Sequence, residues 1–160
     1  MKSEFDLIDK IVIEKNMTKL FALKNNGAFS IALHQILANK YESDNSSLNK
    51  EQLNLLMCMN LENAGQSDSI LSFLQEWHPH YVDRIVKSLK EIGAFKSSEI
   101  IADAIKLLPE DGSWFFDKSS EEDELLMENL DREFSDYPDG FMRNLYKTYS
   151  TIHKTKIIKL

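Results

Sequence analysis

His78 and His80 flank Pro79 in the stretch WHPH, and Asp83 stands three residues beyond His80. Two imidazoles and a carboxylate, with His80 and Asp83 on one helical face, are the donor types of a transition-metal centre. Such a centre needs further ligands, and neither a CxxC pair nor an HExxH helix accompanies them. The same residues suit a packed helix junction. His78 would precede the next helix as its cap, with Pro79 at the first helical position, where its fixed φ and missing N–H cost nothing. The junction is the favoured reading; a metal-dependent hydrolase using the His78/His80 region is kept as an alternative of another class.

Cys58, the lone cysteine, sits mid-helix in the apolar run LLMCMN. A nucleophilic thiol needs a base or a helix N-terminus to lower its pKa, and this context offers neither, so Cys58 reads as core filling. His34 and His153 stand singly. No GxSxG elbow, Gly-rich phosphate loop or paired catalytic carboxylate pattern occurs. The sequence therefore assigns no catalytic, metal or cofactor residues, and the chain reads as non-enzymatic.

One cysteine allows no internal disulfide, which fits a reducing compartment. The N-terminus, MKSEFDLIDKIVIEKN, is broken by Glu4, Asp6 and Asp9 and lacks the features of a secretory leader. No window approaches the ~18 uninterrupted apolar residues of a membrane span. The expectation is a cytoplasmic protein with no membrane partner.

Nearly every segment repeats its apolar residues at helical period. Phe5, Ile8 and Val12 share a face, then Phe29, Leu33, Ile36 and Leu37; the stretch YESDNSSLNK breaks the pattern as a loop. Leu53, Leu56, Met57 and Leu61 point inward from a helix that begins near Lys50 and ends near Gly65. A short helix follows through Ile70, Leu71, Phe73, Leu74 and Trp77. Val82, Ile85, Val86, Leu89 and Ile92 form a core stripe that Gly93 can stop with a left-handed residue. Ser97 or Ser98 then caps a helix carrying Ile101, Ala104, Ile105 and Leu108 inward, which Pro109 ends. Trp114, Phe115 and Phe116 make a bulky turn. A helix from Ser120 to about Phe134 and another through Met142, Leu145, Tyr149 and Ile152 complete the series; the tail 154–160 is a strand or loose. The expected fold is all-α, one domain over 1–160, a bundle of about seven to nine helices with a central antiparallel helical hairpin.

Charge carries the functional signal. From Glu110 to Asp139 there are 12 acids against Lys118 and Arg132, a charge of −10, whereas the whole chain carries −7. Phosphate would be repelled there, so direct nucleic-acid binding is disfavoured and a basic protein is the natural complement. Glu121, Glu124, Glu128 and Asp131 fall in one stripe of the helix, with Leu126, Met127, Leu130 and Phe134 mostly opposite. The helix dipole accounts for acids in the first turn but not for Glu128 or Asp131. The stripe's step of roughly 5 Å is of the same order as the ~3.4 Å between phosphates of one DNA strand. Glu110 and Asp111 extend the acidic surface.

The segments ENAGQSDSILSFL and VKSLKEIGAFKSSEIIADAIKLLP resemble the bacterial DNA-mimic protein family, a domain long of unknown function. Asn63, Gly65, Phe73, Ile92, Gly93, Ala94, Ala102 and Ala104 fit its pattern over roughly 50–150. The Ile-Gly-Ala hairpin is the more specific part. Ala64 and Gln66 replace a glycine and an aromatic of the family's turn. The resemblance implies an all-helical fold and an acidic surface that occupies the DNA-binding face of a transcription regulator. Asn63, Gly65, Trp77, Pro79 and Gly93 are then scaffold residues. An immunity protein masking a basic toxin nuclease predicts the same acidic surface, and a homodimer is left open.

Overall fold

The computed structural model describes residues 3–160, and among these it is helical with no strand. The helices are α1 (Glu4–Glu14), α2 (Met17–Ala22), α3 (Asn26–Ser43), α4 (Lys50–Ser67), α5 (Val82–Glu91), α6 (Phe95–Lys106), α7 (Phe115–Lys118), α8 (Glu121–Ser135), α9 (Met142–Ile152) and α10 (Lys154–Ile157). A π-helical segment, Ser72–Trp77, and a 3-10 turn, Pro79–Tyr81, join α4 to α5. The chain divides into two compact units, Met1–Leu56 with Arg143–Leu160, and Met57–Met142.

In the first unit, Ser3 and Asp6 close a reciprocal capping box at the start of α1. Ile8 and Ile11 are its buried residues, while Phe5 is 72% exposed. The inward face is thus turned from the expected Phe5–Ile8–Val12 line. Asn16 and Asn25 cap α2 and α3 in the same way, each side chain accepting an N–H three residues on. Phe29, Ala32, Leu33, Ile36 and Leu37 of α3 fill this unit's core.

The tail is not a strand. It turns as α10, and buried Gln52 donates to the carbonyls of Ile157 and Lys159 at 3.1 and 2.6 Å. Asn49 adds a bond to the Lys156 carbonyl at 2.9 Å. A buried amide needs such partners, and the carbonyls ending α10 supply them. Asn54, also buried, donates to the Tyr149 hydroxyl at 3.1 Å.

In the second unit the Ile-Gly-Ala hairpin is as expected. Ile85, Leu89 and Ile92 are buried, α5 packs on α6, and Gly93 turns the chain at φ 92°. The cap of α6 differs. Ser97 and Ser98 lie inside the helix and are buried; the N–H groups of Lys96 and Ser97 are instead received by Asp139, at 3.0 and 2.8 Å. A carboxylate contributed by a later loop replaces the local serine.

Three scaffold expectations also shift. Gly65 does not end α4, which runs on to Ser67, so Asn63 and Gly65 are helical rather than a turn. Gly65 is instead where α4 meets α8: a Cβ built there would lie 2.9 Å from the Phe134 ring. Ser135 Oγ donates to the Gly65 carbonyl, and Gln66 Nε2 donates to that of Ser135, which fastens the contact. Trp77 is 43% exposed, unlike buried Ile70, Leu71, Phe73 and Leu74. The π-helical turn is wider than an α-turn, marked by the bond from His78 N to Phe73 O, and it carries Trp77 off the core face. Pro79 does open the next helical turn, though no His78 side-chain cap forms.

Candidate functional site

The second unit holds 19 acids and 7 bases, a charge of −12, whereas the first holds 7 acids and 12 bases, or +5. Acidity therefore follows the fold as well as the sequence. Most of it lies on α8 and on the 110–118 segment before it.

Ser120 starts α8 as expected, its hydroxyl accepting the Asp123 N–H at 3.1 Å. Met127 and Phe134 are its buried residues, and the helix packs on α6. About the axis at ~100° per residue, Asp131 and Glu124 lie only ~40° and ~60° from Met127, while Glu128 and Glu121 lie ~100° and ~120° away. The acidic stripe therefore borders the packed face instead of opposing it. Asp131 and Glu124 are accordingly half-buried, and Glu121 and Glu128 exposed. Leu126, placed inward by the sequence reading, falls ~100° round the other side and is 46% exposed. Leu125 is exposed as well.

Position along this stripe decides what each carboxylate does. Asp131 Oδ1 accepts the Ile70 N–H at 2.8 Å. Burial pushes its carboxyl above the usual range, the Ile70 N–H pulls it down, and Asp68 pushes it up again. Glu124 Oε1 accepts from the Ser119 hydroxyl at 3.0 Å. Glu128 pairs with Arg132 at 3.2 Å, and Asp111 with Lys118 at 2.9 Å. Asp111 is held down at about 2, first by the Ser113 hydroxyl and then by Lys118. Both pairs are exposed, so they add little stability. Their consequence is that both bases of the segment are already engaged.

Two clefts flank α8. Glu124, Glu128 and Asp131 line one of about 380 Å³ with Met127, Phe116 and the Ser69–Leu71 stretch. Glu110, Asp111 and Asp123 line the other, of about 340 Å³, beside Leu107, Phe115 and Lys118. Gln75 pins the intervening turn, accepting the Phe115 N–H at 2.8 Å and donating to the Ser113 carbonyl at 2.9 Å. Five of the six acids singled out in the sequence thus gather at two neighbouring clefts; Glu121 lines neither. Phe116 and Asp123 line these clefts as well, although the sequence singles out neither as a binding residue. Within the aromatic turn, Phe115 is buried and Phe116 is 54% exposed.

The His78 region is a packed junction. His78 Nε2 lies 3.1 Å from Asn60 Nδ2, and the His78 ring leans on Phe73 and His80, at 5.3 and 5.5 Å between centroids. Burial, then the charge of His80, pulls His78 down to about 4. Among the described residues no three His, Cys, Asp or Glu side chains gather to hold a metal ion, so the hydrolase reading finds no ligand set. Cys58 is fully buried, and burial pushes its thiol well up, with Glu91 and Glu62 adding to the effect. No helix among the described residues is long and apolar enough to cross a membrane.

Fold and site together define a protein that is all-helical among the described residues, with its acids concentrated on α8 and the 110–118 segment. The chain belongs to the DMP19-like protein family, a family of DNA-mimic proteins, whose model matches residues 46–154. That span contains the whole of the acidic unit. No curated protein and no solved structure matches the chain.

Proposed function

We propose that the acidic face around α8 binds a basic, DNA-binding protein, such as a transcription regulator, and occupies the surface that would otherwise hold DNA. One observation carries this reading: the −10 of residues 110–139 has only Lys118 and Arg132 within it, and each is already paired with a single acid. The charge is therefore left to act outward, as membership of a DNA-mimic family supports. Such a field speeds encounter and rejects anionic competitors more than it adds affinity, and salt weakens it.

The stripe on α8 needs dividing before it is tested. Asp131 and Glu124 hold internal hydrogen bonds, so changing them disturbs the fold. Glu110, Glu121, Glu122 and Glu133 are exposed and suit charge reversal. The experiment is a pull-down from the native lysate at low and high salt, with wild type and with the fourfold Glu→Lys protein. The expected result is a basic DNA-binding protein retained by wild type at low salt, released by duplex DNA, and not retained by the reversed protein. Retention that survives the reversal at low salt overturns the reading. The identity of the retained protein separates a regulator from a toxin nuclease.

A further inference from the structure

We propose that the cleft between α8 and Ser69–Leu71 receives a single arginine side chain of the basic partner. This rests on the acidic-face reading above and adds to it a point of insertion. The floor is apolar: Ile70, Leu71 and Met127 are each 5% exposed or less. One wall is the Phe116 ring, which is 54% exposed. The remaining wall carries Glu124, Glu128 and Asp131. At about 380 Å³ the space lies near the lower end of the roughly 300–1,000 Å³ usual for small-ligand sites, so it suits a side chain better than a domain.

Each carboxylate has one oxygen engaged within the chain: Asp131 Oδ1 with Ile70 N, Glu124 Oε1 with Ser119 and Glu128 Oε1 with Arg132. Among the described residues the other oxygen of each accepts no hydrogen bond. An apolar cleft with three such acceptors excludes an anion by repulsion, and a purely apolar occupant would strand the carboxylates. What fits is a group with an aliphatic stem and a cationic head. Arginine suits it better than lysine for two reasons. Its planar guanidinium can lie on the Phe116 ring, and its forked N–H groups can serve two carboxylates at once. Its methylenes would cover Leu71 and Met127. Arg132 is not this occupant, since it does not line the cleft.

The test titrates two short peptides of equal length and charge, one with arginines and one with lysines, into the intact protein at low salt. Methyl resonances of Met127 and Leu71 report the cleft, and those of exposed Leu125 report the surface outside it. Both peptides are expected to move Leu125. Only the arginine peptide is expected to move Met127 and Leu71, and to bind about five- to tenfold tighter, as one cation–π contact and a charged bidentate bond would give. Phe116→Ala, at an exposed position, should abolish that preference. Equal affinities with a still Met127 overturn the arginine cleft and leave the acidic-face reading standing. If neither peptide moves Leu125, both fail.

Discussion

Asp139 accepts the backbone N–H of Ser97 at 2.8 Å, closing the start of α6 from 42 residues further along the chain. Its second oxygen takes the N–H of Lys96. These are two of the orphan donors every helix start leaves, and here no local side chain serves them. One acid of the −10 segment therefore belongs to the fold. Asp139→Ala should cost about 1–2 kcal/mol, the usual loss for a helix cap, and lower the melting temperature by several degrees. Thermal unfolding followed by circular dichroism reads this out. Binding of basic peptides at α8 should change little, and a larger change in binding than in stability would put Asp139 on the interaction surface.

That bond also marks the boundary of what the sequence alone could reveal. Ser120 capping α8 and Gly93 stopping α5 were legible because both are local, set by a side chain or a φ within a turn of its target. The stripe Ile85–Leu89–Ile92 was legible because burial repeats at the helical period. Asp139 was not, since nothing near position 97 points 42 residues ahead. Leu126 and the acidic stripe went astray for a related reason. Periodicity shows which residues of α8 share a face, but α6 and the Ser69–Leu71 stretch decide which part of that face is covered. Periodicity alone thus makes half-buried Asp131 and Glu124 look like outward charges. The −10 itself was visible in full; the two clefts that organise it were not.

Gly65 and Phe134 give a second case where long-range packing overrules a local rule. Glycine inside a helix ordinarily costs about 1 kcal/mol against alanine, so Gly65→Ala would stabilise an isolated α4. Here the added Cβ would sit 2.9 Å from Cδ1 of Phe134, a ring only 3% exposed and hence with little room to yield. Overpacking of this kind costs about 1–3 kcal/mol, which offsets the propensity gain and more. Gly65→Ala should lower the urea midpoint without changing the slope of the transition. Adding Phe134→Leu, a smaller side chain, should show a favourable coupling between the two changes. Simple additivity would mean that α4 and α8 do not meet at this point.

His78 makes stability depend on pH, and the sign follows from its surroundings. Burial beside Asn60 and Phe73, together with the nearby charge of His80, pulls its pKa to about 4 from an unfolded value near 6.5. Above 6.5 the imidazole is neutral in both states, and the stability linked to it is fully present. As the pH falls from 6.5 towards 4, the unfolded chain takes up a proton that the folded chain refuses, so stability declines through that window. His78→Gln removes the titration while leaving an amide in reach of Asn60. Urea unfolding at a series of pH values should give a shallower decline for the variant between pH 6.5 and 4 than for wild type. Carboxylates titrating near the acid end affect both proteins alike, so the difference between the two curves isolates the imidazole. His80→Gln, at an exposed site, should weaken the effect only slightly, because burial is the larger cause. Parallel curves for wild type and His78→Gln would show that the fold does not hold this histidine neutral.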